Sequence, residues 1–115
     1  MMPVQLTQAP SQPRWRALLE TRWQARLQEL IALSLAYHDA AAADVDHGDR
    51  GAARRLRERL RATVAARRGL ADTEDALSRL AVGRFGLCEQ CGAGIPASLL
   101  ELTPETRYCL ACGAA

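Results

Sequence analysis

Four cysteines in two identical spacings, Cys88-Glu89-Gln90-Cys91 and Cys109-Leu110-Ala111-Cys112, are the residues of this sequence best suited to chemistry. Gly92 and Gly113 follow the two pairs, and 17 residues separate them. A C-x-x-C turn with Gly after it presents two thiolates to one side at a distance suited to tetrahedral zinc, and two such turns complete a four-sulfur shell. With every position filled by sulfur no site is left for water, so the expected metal is one structural zinc ion rather than a catalytic one. Buried or redox-active thiols and an iron–sulfur centre are the alternatives for the same donors. The glycines and the paired two-residue spacings favour zinc. Such ligation is worth on the order of 10 kcal/mol to a small module. The region needs it, because after Gly83 the chain breaks into short apolar pieces interrupted by Gly92, Gly94, Pro96, Pro104 and Gly113.

The elements that position these cysteines follow from composition and periodicity. The 115 residues are 49% hydrophobic but only 4% aromatic, with Ala, Leu and Arg abundant, which suits long helices in lateral contact rather than a thick mixed core. Residues 1–13, with three Pro and no charge, read as a disordered leader. From Arg14 the positions Trp15, Leu18, Leu19, Trp23, Leu27, Leu30, Ile31, Ser34, Tyr37 and Ala41 recur in steps of three and four without Gly or Pro. A second periodic stretch runs through Ala53, Leu56, Leu60, Val64, Leu70, Leu77, Leu80 and Ala81, with Gly69 a local weak point of about 1 kcal/mol. Between them, residues 44–51 hold two Gly and three Asp, the chemistry of a bend and a helix N-cap. The expected fold is mainly α, a long antiparallel two-helix coiled-coil hairpin over 14–82 with an acidic tip at 44–51 and a small C-terminal zinc-finger module over 83–115. Trp15 and Trp23 are expected to pack at the base of the coil, beside the zinc module.

Charge is spread unevenly under a net +2. Residues 32–49 carry four Asp and no Arg, whereas residues 50–68 carry eight Arg and one Glu. No apolar run approaches the roughly 20 residues that span a bilayer, and no basic segment followed by an apolar stretch marks secretion, so a cytoplasmic location is expected. In a reducing compartment paired C-x-x-C motifs hold metal rather than disulfides.

Taken together, Ala76-Leu77-Ser78-Arg79-Leu80, Gly83-Arg84-Phe85-Gly86-Leu87-Cys88-Glu89-Gln90-Cys91-Gly92, Ile95-Pro96, Pro104 and Cys109 resemble the DksA/TraR four-cysteine zinc-finger family. About 40 residues match closely, and the hairpin with its acidic bend resembles the long-coil members. The resemblance implies a bacterial transcription regulator, with no catalytic site of its own, that binds RNA polymerase and passes its coil into the secondary channel. In the family the tip carries Asp-x-x-Asp followed by Ala. Asp46-His47-Gly48-Asp49-Arg50-Gly51 is similar, with Gly51 in the Ala place, and Asp44-Val45-Asp46 is an alternative register. Asp46 and Asp49 are therefore the expected tip residues, and Asp49 is also placed to cap the second helix. The sequence departs from the family at Leu99, where Arg is common, and after Cys112, where long members continue into a helix that contributes to guanosine tetraphosphate binding. No response to that nucleotide is expected.

Two other function classes are compatible with the residues. Arg50, Arg54 and Arg55 open an Arg-rich helix that could contact nucleic-acid phosphates, or else form a solvated outer face. A redox or partner-binding hairpin is the third reading. His47, alone on a turn, is expected to be simply solvated.

Overall fold

The computed structural model describes residues 12–44 and 50–113. The chain is mainly α, with two long helices, α1 (Gln12–Asp44) and α2 (Arg50–Ala81), forming a hairpin, followed by two short ones, α3 (Ala97–Leu102) and α4 (Leu110–Gly113). α1 begins two residues earlier than the periodicity predicts, with Pro13 in its first turn, where a missing N–H breaks no helical bond. α2 begins at Arg50 and takes Gly51 into its first turn, so two residues at the end of the segment 44–51 are helical. Asp46 and Asp49 lie outside the described residues, as does His47, and α1 runs to Asp44. No described helix is long and apolar enough to cross a membrane.

Residues 23–71 form one compact unit, the shaft of the hairpin. Here the Thr63 hydroxyl donates to the carbonyl of Leu33 at 3.4 Å and to that of Arg59 at 2.8 Å, and the Arg26 side chain lies against Gly69. Partner numbers rise on one helix as they fall on the other, which is antiparallel pairing. The buried or half-buried positions of α2 here are Gly51, Ala52, Leu56, Ala62, Thr63, Ala66, Gly69 and Leu70, and the seam through Ala52, Leu56, Thr63, Ala66 and Leu70 keeps the period of a straight helix, about 3.6 residues per turn.

The apolar stripe drawn from the sequence is corrected at several places. Leu60 and Val64 are 44% and 49% exposed, Ile31 is 51% exposed, and Ala53 is exposed as well. Steps of four from Leu56 to Leu60 to Val64 advance 400° each, so the series walks off the seam by 40° per step. Small and hydroxylated residues replace them at the contact. Gly69 has a positive role as well as a cost: a Cβ there would collide with the Arg26 guanidinium, so the side chain of α1 occupies the space that glycine leaves.

Residues 12–22 and 72–113 form the other unit, which contains the four cysteines. Its core joins Trp15 and Leu19 of α1, Ala76 and Leu80 of α2, and Cys88, Ile95 and Leu100 of the C-terminal module. Phe85 stacks at a tilt on Trp15, with ring centroids 5.4 Å apart. The module expected to lack a core of its own thus borrows one from the ends of the two helices. α2 ends in a Schellman motif, with the Arg84 N–H donating to Arg79 O at 2.8 Å and the Gly83 N–H donating to Leu80 O at 3.2 Å. That motif turns the chain toward the first cysteine pair.

Candidate metal centre

The first pair sits on a tight reversal closed at both ends by backbone bonds. Leu87 and Gly94 form an antiparallel bridge, the Cys88 N–H donates to Ala93 O at 2.8 Å, and the Gly92 N–H donates to Cys88 O at 2.9 Å. Gly92 has φ +78°, with open space where a Cβ would stand, so the backbone conformation rather than crowding selects glycine after the pair. Ile95 N–H donates to Gly86 O at 2.7 Å, and the Ile95 side chain is buried, which fixes this reversal to the core. The second pair uses a helical turn instead. Cys109 precedes α4 and Cys112 lies within it, with the Gly113 N–H donating to Cys109 O at 2.7 Å. A backbone bond joins the halves, from the Glu89 N–H to Arg107 O at 2.8 Å.

This framework brings all four sulfurs within 4.8 Å of one another. Zinc at about 2.3 Å from each of four sulfurs places them about 3.8 Å apart along a tetrahedral edge. The Sγ atoms of Cys91 and Cys109 are 3.8 Å apart. That is far beyond the roughly 2.05 Å of a disulfide, and all four cysteines are free thiols. Cys88 is buried, Cys109 and Cys112 are half-buried and Cys91 is exposed. Four sulfurs this close perturb one another. Backbone amides of Cys109 and Cys91 pull the Cys88 thiol down to about 6. The neighbouring sulfurs of Cys109 and Cys88 push Cys112 up to about 12. A divalent ion removes that conflict, since each thiolate then faces a positive charge as well as other thiolates. The donor set is therefore that of one structural zinc ion held by Cys88, Cys91, Cys109 and Cys112, with no protein position left open.

A polar network that sequence reasoning did not single out holds the second half of the module to the helices. Glu105 follows the fully buried Pro104 and is itself 8% exposed. Its carboxylate accepts from Arg22 Nε at 2.7 Å, from Arg22 Nη2 at 2.8 Å and from the Thr73 hydroxyl at 2.8 Å. Its backbone carbonyl accepts from Arg79 at 3.3 Å. Burial pushes the Glu105 carboxyl up, but the hydrogen bonds from Arg22 and Thr73 and the Arg22 charge together outweigh it and hold the group below its ordinary value. The available signal was Arg22 itself, a charge one turn after Leu19 on the inward stripe of α1. Arg107 adds exposed ion pairs with Asp75, Asp72 and Glu89, and Arg14 pairs with Glu101.

Of the other expected site residues, Arg50 opens α2, and Arg50, Arg54 and Arg55 are all exposed. Leu99 is half-buried against the core. Residues 83–115 match the prokaryotic dksA/traR C4-type zinc finger. An uncharacterized protein of Aquifex aeolicus is 42% identical over 43 residues, a match that covers 37% of this chain and 30% of the relative's length. The whole-chain fold is similar to that of transcription factor DksA2 from Pseudomonas aeruginosa, with a TM-score of 0.84 and 22% identity, covering 92% of this chain and 82% of that one.

Proposed function

We propose that this chain, whose residues 83–115 match the dksA/traR C4-type zinc finger, is a member of the DksA/TraR family and regulates bacterial transcription without catalysis of its own. The hairpin binds RNA polymerase through its secondary channel, and the bend between α1 and α2 brings Asp46 and Asp49 near the catalytic centre. The observation that carries this reading is the likeness of fold to a transcription factor over 92% of the chain, with the metal-binding module in the same family. The bend itself supports it by composition, since two carboxylates on a short connection can meet Arg, Lys or a metal ion at the end of a narrow passage. The zinc stabilises the structure and takes no part in chemistry.

The bend should carry function without carrying binding, because the helices of the shaft offer far more contact area than two carboxylates. Asp46→Asn together with Asp49→Asn is expected to leave affinity for RNA polymerase within about tenfold, or ~1.4 kcal/mol. The same variant is expected to lose the effect on promoter-complex lifetime. Both substitutions keep side-chain size, and Asn remains a good helix cap, so folding is little changed. A double variant that binds and regulates like the parent would remove the bend from the account.

A further inference from the structure

Five arginines, Arg50, Arg54, Arg57, Arg61 and Arg68, follow one another along α2 at intervals of four, three, four and seven residues. These intervals keep them on one line of the helix surface. The contact positions Ala52, Leu56, Thr63, Ala66 and Leu70 have the same period but lie two residues later, a rotation of about 200°. The arginine line therefore runs down the side of α2 opposite the seam, and all five side chains are exposed. Among the described residues none of the five has an ion pair, although Glu58 flanks the line on α2 and Glu29 and Asp39 are exposed on α1. Eighteen residues at 1.5 Å each make the line about 27 Å long.

From this exposed row we infer that the outward face of α2 is a contact surface for the phosphate backbone of duplex DNA, used while the hairpin stands outside the polymerase channel. Guanidinium groups match phosphate with paired donors and stay charged at any pH of interest. A row of fixed positive charge releases the counterions of a polyanion, which favours binding irrespective of sequence. Single strands are held mainly on aromatic platforms, and α2 has no aromatic residue. The surface positions DNA and does not read it, because backbone contacts carry no base information.

The test uses the full-length, zinc-loaded protein and a 20-base-pair duplex of random sequence, with affinity measured by fluorescence anisotropy from 50 to 200 mM salt. Five phosphate contacts give a slope of log affinity against log salt of about −4 to −5, at roughly 0.9 per contact. Arg57→Gln with Arg61→Gln is expected to make the slope shallower by about 2 on the same scale. Arg16→Gln with Arg84→Gln removes equal charge from exposed positions off the line and is expected to leave the slope unchanged. Helicity of each variant is checked by circular dichroism, since exposed Arg and Gln have similar helix propensity. Absence of binding at 50 mM salt, or equal slopes for the two double variants, would overturn the inference. So would polyglutamate competing as well as unlabelled duplex, which would assign the face to an acidic protein surface instead.

Discussion

Cys88→Ser and Cys109→Ser should each abolish zinc binding and unfold the cysteine module together with the ends of the helices that share its core. Zinc in a four-sulfur site contributes on the order of 10 kcal/mol, more than the few kcal/mol that a core of this size can be expected to supply. Because Cys88 belongs to the same core as Trp15, Leu19, Leu80 and Ile95, the loss extends back along the chain beyond Gly83. The shaft over 23–71 has its own seam and should retain much of its helicity. Chelation of the parent protein should reproduce both effects. The measurements are metal content, far-UV circular dichroism and tryptophan fluorescence, the last reporting exposure of Trp15 as its packing on Phe85 is lost. Zinc below a few tenths of an equivalent per chain under reducing conditions would contradict the assignment, as would a chelated protein with native fluorescence.

Glu105→Gln should destabilise the protein by about 2 to 3 kcal/mol, as expected when one partner of a buried pair is removed. The value falls at the low end because the Arg22 side chain is 31% exposed and regains some water. Arg107→Gln, by contrast, should cost under about 1 kcal/mol, because its acidic partners are roughly one-third to one-half exposed and solvent screens such pairs. The Glu105 effect has a pH signature. The folded state holds this carboxyl below its ordinary value of 4.5, so the unfolded chain binds the proton first as pH falls. The difference between parent and Glu105→Gln should be complete above that value and shrink as pH drops below it, through the value of the folded state. Denaturant midpoints at several pH values check this, and a difference that grows on acidification would refute the network as described.

The metal centre was legible because ligand type and spacing are local: two C-x-x-C-Gly units state their chemistry without reference to the rest of the chain. The hairpin was legible for a similar reason, since long uninterrupted periodicity needs no knowledge of the partner helix. The side of contact was not. Leu60 and Val64 look like core residues by type, yet the seam uses Ala52, Thr63 and Ala66, because close helix pairing selects small residues at the contact. Glu105 was hidden for a different reason. Its partners Arg22 and Thr73 are 83 and 32 residues away in sequence, and only tertiary packing brings the three together. Trp15 was expected beside the cysteine module and packs there, whereas its sharing a core with Phe85 and Ile95 was not visible, because those two lie in segments whose individual patterns do not reveal a common neighbour.

Binding of the zinc-loaded protein to RNA polymerase, measured in the presence and absence of a second factor known to occupy the secondary channel, tests the functional account most directly. The account predicts a saturable complex with one equivalent of this protein per polymerase, displaced by the competitor in proportion to its occupancy. No binding at micromolar concentrations, or binding that the competitor leaves untouched, would contradict it.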